Sequence, residues 1–418
     1  MIQNLTWIET ENTWPYRNLA MEEYMTLHAK QGECVLFLWQ NRRTVVIGKN
    51  QNCWKECRVS ALEEDGGFLA RRLSGGGAVF HDLGNLNFTF IARRADYNVD
   101  RQLQVIIEAL KTLGIHSEKT GRNDVTVEGR KFSGNAFYQS GDYCCHHGTL
   151  LVDVDSALMS RYLNVSREKL AAKGVSSVKS RVVNLRELLP ELTIAQLKEA
   201  LVNAFSQVYG LTPRRMDETE LPAGEIDRLA GRFASDQWKY GRKMSFDYEF
   251  SRRFDWGDIQ LQLHVDRGIV LEAAAYSDAM DPELIGRLPE VLKGCVCGRE
   301  ALCEAVDQLR DNGTAAQPRN GGGGDSDGEF GGGLGASGGS TDSVTTGFGT
   351  ASGTTGGGGA PGSGACGGGA GSGDLGTGEL GADSGPGGSG AAPAAGGPEY
   401  PLSSRMLSDI KALISESF

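Results

Sequence analysis

The chain has 418 residues and a formal net charge of −11, long enough for two folded domains with sizeable cores and too acidic for a general binder of nucleic acid or anionic membranes. Met1–Trp7 has neither a basic n-region nor a long apolar core, and no apolar run elsewhere approaches the span of a bilayer, so a soluble, cytoplasmic protein is expected. Nine cysteines, an odd number without a regular framework, suit a reducing compartment.

In chain order, Leu19, Glu22, Tyr24, Met25 and Leu27 predict a helix over Asn18–Lys30 with a mixed apolar face. The apolar runs Cys34–Trp39 and Thr44–Gly48, separated by Gln40–Arg43, read as a hairpin of largely buried strands. After a polar segment, Arg71-Arg72-Leu73-Ser74-Gly75-Gly76-Gly77 leads into strand-like runs at Ala78–Phe80 and Asn87–Ile91, and Asp82–Asn85 between them has hairpin chemistry. Leu103, Ile106, Leu110 and Leu113 fall at helical spacing, and Gly114 closes the pattern. Strand residues alternate on both sides of the turn at Glu128-Gly129, and Cys145–Val152 supplies a further strand. Thr193 followed by Gln196 is a capping-box signature, opening a helix that ends at Gly210. Strands and helices in separate blocks imply an α+β catalytic domain, with mixed or antiparallel sheets flanked by helices and no doubly wound sheet.

Further on, Ser245–Phe250, Ile259–Leu263 and Ile269–Leu271 alternate as strands, and helical patterns follow at Pro282–Leu292 and at Leu302, Val306 and Leu309. From about Asn312 to Pro398 the sequence is Gly, Ser, Ala and Thr with almost nothing to bury, which reads as a flexible insertion. Met406, Ile410 and Leu413 then restore helical spacing. The expected organisation is a catalytic domain over 1–244, a small α+β accessory domain over 245–311, a low-complexity insertion over 312–400 and the accessory domain's last helix over 401–418. Loop closure costs only about 0.6 kcal/mol per doubling of length. Deleting Gly321–Gly397 is therefore expected to leave turnover largely intact, and a large fall in a turnover assay would give the insertion a function.

Two polar clusters carry the chemistry. In the first, two arginines, a hydroxyl and consecutive glycines let peptide N–H groups converge on an anion such as phosphate. In the second, Lys131 lies between Arg130 and Ser133-Gly134, a compact cation suited to drawing a carboxylate and a phosphate together; its bland reading is an exposed turn lysine. Asp124 would hold Mg²⁺ or orient an incoming amine, or else form an Asx-turn with Asn123. Cys295, Cys297 and Cys303 lack a fourth zinc ligand nearby, and Cys144-Cys145-His146-His147 cannot all converge on one centre, because adjacent strand residues face opposite ways.

The motifs at Arg71–Asn85, Gly121–Asp124, Arg130–Gly134, His146–Leu150 and Lys173–Val178, with Leu36–Trp39 and Ile47–Cys57 between them, resemble the lipoate-protein ligase A family, from near the N-terminus to about Leu309. The resemblance implies a two-step reaction with ATP and Mg²⁺: lipoate is converted to lipoyl-AMP, and the lipoyl group then passes to a lysine of a lipoyl-carrier domain, in 2-oxoacid dehydrogenase E2 subunits or the glycine cleavage H protein. It implies Lys131 as the central catalytic cation and Asp124 beside the metal or the amine. ATP and lipoyl-AMP would be bound by Arg72, Ser74, Gly76, Gly77, Ala78, Val79, Phe80, Asn123 and Lys131. The lipoate pocket would comprise Phe37, Trp39, His81, His147 and Glu22, with Val79 nearby. It further implies a monomer whose small domain swings, hinged after about Arg232, between adenylation and transfer. The runner-up is an octanoyl or lipoyl transferase working without ATP, which needs an activated cysteine that the Gly121–Asp124 loop lacks. A non-catalytic lipoyl-binding protein is the other alternative.

Overall fold

The computed structural model describes residues 1–120, 124–164, 182–241, 244–311 and 403–418. The strands are β1 (Asn4–Glu9), β2 (Glu33–Trp39), β3 (Thr44–Ile47), β4 (Phe68–Arg71), β5 (Val79–His81), β6 (Asn85–Arg93) and β7 (Glu118–Thr120), then β8 (Asp124–Val127), β9 (Arg130–Ser140), β10 (Tyr143–Leu151), β11 (Arg214–Arg215), β12 (Tyr248–Phe254), β13 (Gly257–Asp266) and β14 (Ile269–Ser277). They make an eight-stranded sheet in the order β11-β1-β2-β6-β10-β9-β8-β7, a three-stranded sheet β4-β3-β5 and a second three-stranded sheet β12-β13-β14. This is the expected α+β architecture, with β1 parallel to β2 and to β11 and the remaining pairs of the large sheet antiparallel.

The central strands of the large sheet are buried on both faces, which is why β2 is apolar throughout. Its even residues Leu36 and Leu38, with Phe88, Phe90 and Leu150, pack on the helices Val99–Thr112 and Ile194–Tyr209. Its odd residues Val35, Phe37 and Trp39, with Ile91 and Cys145, join a second cluster with the helices Pro15–Leu27 and Ala223–Ala234. The same side of the sheet, farther toward the ends of β6, β10 and β9, carries the cavity described below. A third cluster lies around β3–β5, and a fourth joins β12–β14 to the helices Pro282–Leu292, Arg299–Asp311 and Ser403–Ser417.

Local signals match where they are self-contained. Thr193 and Gln196 form the capping box of Ile194–Tyr209, and Gly210 closes it at φ 67°. Glu128 and Gly129, at φ 52° and 72°, turn β8 into β9. The first helix runs Pro15–Leu27, not Asn18–Lys30: Pro15, with φ already fixed, starts it a turn earlier, and His28 leaves the helical region. The strand expected over Ser245–Phe250 is Tyr248–Phe254.

Both early hairpins are corrected. β2 pairs with β1 and β6, whereas β3 leaves that sheet to pair with β4 and β5. β5 and β6 likewise diverge into different sheets, although Asn85 N–H still bonds to Asp82 O at 3.1 Å. Gly84 O instead accepts from Val152 and Asp153 N–H, drawing the turn onto the end of β10. A Cβ at Gly84 would meet Asp153 O at 2.0 Å, so only glycine allows this approach. The expected insertion and the Lys173–Val178 motif lie outside the described residues.

Candidate active site

The glycine loop leaves β4 and is shaped by two buried arginines. Arg71 donates to the carbonyls of Gly48, Lys49 and Gln51 and to those of Trp238 and Lys239. Expected to serve an anion, it does not line the cavity and instead clips two backbone segments together. Arg72 lines the cavity but also reaches into the loop, donating to Ser74 Oγ at 2.9 Å and to the carbonyls of Gly75, Gly77 and Val46. Its burial lowers the guanidinium pKa to about 10, so it stays charged at neutral pH. Both arginines thus hold backbone in place, and Arg72 does so from the cavity wall.

Ser74 is fully buried beneath the loop. Its hydroxyl lies 2.7 Å from His147 Nε2, and His147 Nδ1 lies 2.9 Å from Glu22 Oε1. Glu22 Oε2 accepts from Thr89 Oγ1 at 2.6 Å, and Thr89 accepts from the Trp39 indole at 3.1 Å. One chain of hydrogen bonds thus ties the loop to the large sheet. Cys145 shares this face with Glu22 and His147 as a group able to hold a metal ion, while His146 points to the other face between the amides of Gln102 and Asn135. Cys295, Cys297 and Cys303 pack against the C-terminal cluster.

A cavity of about 430 Å³ runs between the loop and the sheet. At one end, Lys131 Nζ lies 2.5 Å from Asp124 Oδ1 across β8 and β9, with Gly134 beneath the lysine, where a Cβ would meet Nζ at 2.7 Å. At the other, Leu19, Trp39, Val46 and Val79 form an apolar slot with His81 and His147. Of the expected site residues, Lys131, Asp124, Arg72, Gly76, Gly77, Ala78, Val79, Phe80, Trp39, His81 and His147 line this one cavity. Ser74, Glu22 and Phe37 do not line it: Glu22 holds His147 from behind, and Phe37 stacks on Trp39 at 5.9 Å between ring centres. Asn123 lies outside the described residues.

Sequence reasoning did not select Asn87, Thr149, Trp256 or Met280, which also line the cavity. Met280 belongs to a C-terminal segment lying on the loop: Gly76 N–H donates to Ala279 O at 3.1 Å, and a Cβ at Gly75 would meet that oxygen at 2.2 Å. Asn50 Nδ2 bonds to Pro282 O at 2.7 Å, and Lys49 pairs with Glu283 at 3.0 Å. No local signal marks Met280, because the fold brings its segment onto the loop from more than 200 positions away.

Burial pushes His81 and His146 from 6.5 down to about 3. In the unfolded chain both bind protons below pH 6.5 and in the folded protein they do not, so this stability is present above pH 6.5 and is lost as pH falls toward 3. At about 1.4 kcal/mol per proton and pH unit, two such groups cost up to roughly 3 kcal/mol per unit. Urea midpoints at pH 7, 6 and 5 should fall accordingly, and a flat profile would contradict the buried neutral state.

Residues 14–206 match the family model described as the lipoyl protein ligase A/B catalytic domain. Residues 243–317 match that of the bacterial lipoate protein ligase C-terminus. Among solved structures, LipL1 of P. falciparum, crystallised in complex with lipoate, is 28% identical with a TM-score of 0.64, over 74% of this chain and 98% of that one. A bipartite lipoate protein ligase of the archaeon Thermoplasma acidophilum, studied with its E2 lipoyl domain, is 27% identical with a TM-score of 0.50, over 58% of this chain and 99% of that one.

Proposed function

The chain belongs to the lipoate-protein ligase A family, and on that premise we propose that it activates lipoate with ATP and transfers the lipoyl group to a lysine of lipoyl-carrier domains. The observation that carries this reading is the single cavity holding an apolar slot, the glycine loop and the Lys131 cation. A carboxylate entering from the slot reaches Lys131, and a nucleotide cradled by Gly76–Phe80 brings its α-phosphate to the same place.

A carboxylate oxygen bonds to the α-phosphorus as the bond to the β-phosphate oxygen breaks, giving lipoyl-AMP and pyrophosphate. The carrier amine then bonds to the acyl carbon as the bond to AMP breaks, and the amine gives up a proton. Lys131 offsets the repulsion between the two anions in the first step and stabilises the charge on the leaving AMP in the second, which is preorganised electrostatics. Asp124 holds Lys131 Nζ in place and faces the incoming amine. Mg²⁺ would supply charge to the nucleotide's phosphates, and Asp124, the carboxylate beside Lys131 on the cavity wall, would help hold it.

The C-terminal segment caps Gly76 N–H with Ala279 O, so that donor is engaged until the segment moves. This supports a swing of the accessory domain (245–311 with 401–418) between the two steps, hinged after about Arg232. The described residues form no helix long and apolar enough to cross a membrane. A cytoplasmic monomer acting on E2 lipoyl domains and glycine cleavage H protein completes the reading, and the E2 lipoyl domain studied with the archaeal ligase supports that partner class.

Lipoate-dependent exchange of pyrophosphate into ATP tests the first step without any carrier. Exchange is expected with lipoate and not with biotin. A protein that acylates a carrier domain without nucleotide would replace this reading with a transferase.

A further inference from the structure

The apolar slot contains two buried hydrogen-bond donors that no group among the described residues accepts from. His81 is 3% exposed and Asn87 1%, both line the cavity beside Trp39, and His81 Nε2 and Asn87 Nδ2 lack partners among the described residues. The neighbours of His81 fix which way it points. Asn18 Nδ2 donates to Asn41 Oδ1 at 3.0 Å, leaving Asn41 Nδ2 to donate to His81 Nδ1 at 3.2 Å. The ring is neutral, so its single proton is on Nε2, as a donor. Asn87 Oδ1 accepts from Asn85 Nδ2 at 2.9 Å, and in this arrangement the Asn87 amide turns its N–H to the slot.

Position assigns these donors to the acyl chain, not to its carboxylate. Asn87 stands opposite Trp39 on β2 and Thr149 on β10. Lys131 lies on β9 with its Nζ folded back over Gly134, which faces Thr149, so the ammonium stands two strand spacings from Asn87, about 10 Å away at ordinary sheet dimensions. That distance leaves room for a chain of several carbons between a carboxylate at Lys131 and the two donors.

We infer that His81 and Asn87 form an acceptor-reading subsite in the acyl slot, selecting an acid whose chain carries lone pairs at that depth, such as the sulfurs of a dithiolane, over an all-carbon chain of the same shape. This rests on the lipoate reading given above. A plain hydrocarbon filling the slot displaces water and leaves two buried donors unpaired, and a site built around hydrogen bonds rejects an analogue for that reason more sharply than an apolar wall rejects a change of size. Sulfur is a weak acceptor, so the discrimination is moderate, on the order of tenfold.

The test is calorimetric binding of lipoate and of its carbocyclic isostere, cyclopentyl-pentanoate, to the full chain without ATP. The wild type is expected to bind lipoate about tenfold more tightly. Asn87→Leu and His81→Phe should bring the two affinities together, and Asn87→Gln, which keeps a donor, should restore part of the difference. Near-ultraviolet circular dichroism checks the fold of each variant, and either variant that folds suffices for the comparison. Equal affinities in the wild type, or a preference unchanged by the variants, would overturn the subsite. Binding of neither acid to the wild type would overturn the lipoate reading itself, and this inference with it.

Discussion

Lys131→Ala is expected to slow lipoate-dependent pyrophosphate exchange by about 10²–10³-fold, the usual loss when one preorganised charge is removed from a developing anion. The fall should appear mainly in kcat, with a smaller loss of affinity for lipoate, because the carboxylate loses its cation while the slot walls are untouched. Stability should change by less than about 1 kcal/mol, since the Lys131–Asp124 pair is partly open to solvent. Lys131→Arg should not rescue the rate: a planar fork does not replace a point charge, and the end of the lysine already lies against Gly134, where a Cβ would meet Nζ at 2.7 Å. Exchange within threefold of wild type in Lys131→Ala would remove the lysine from the chemistry.

Arg72→Leu is expected to be the more damaging change to the fold. The guanidinium is 6% exposed and satisfies Ser74 Oγ and the carbonyls of Val46, Gly75 and Gly77. Without it, several buried acceptors lose their donor, at about 1–3 kcal/mol for each one left unsatisfied. Relaxation of the loop recovers part of this, so a loss of about 3 kcal/mol or more in urea unfolding is expected, together with loss of ATP binding. Arg72→Lys should behave similarly, because one ammonium cannot serve acceptors spread around a fork. If Arg72→Lys retained both stability and nucleotide affinity, the loop would owe its shape to something else.

These two residues also show what could be seen in the sequence. That Lys131, the glycine loop and Trp39 belong together was legible from their motifs, and the cavity brings them together. That the arginines bond to backbone carbonyls was not, since a sequence carries no record of which acceptor a forked donor meets. Elements closed by local chemistry were equally legible, as with Thr193, Gln196 and Gly210 around one helix or Glu128-Gly129 between β8 and β9. Strand partners were not. The run Thr44–Gly48 has the apolar pattern of a neighbour for Cys34–Trp39, but periodicity gives burial without naming the strand across the ladder, and β3 pairs with β4 and β5 instead. Met280 and Trp256 reach the cavity from the C-terminal part of the chain, beyond any local pattern.

The measurement that bears most directly on the central claim is the intact mass of an apo lipoyl domain incubated with this protein, lipoate, ATP and Mg²⁺. The expected result is one lipoyl adduct on the domain's lysine, lost when ATP is omitted and nearly lost with Lys131→Ala. An adduct formed equally well without ATP, or none with every component present, would contradict it.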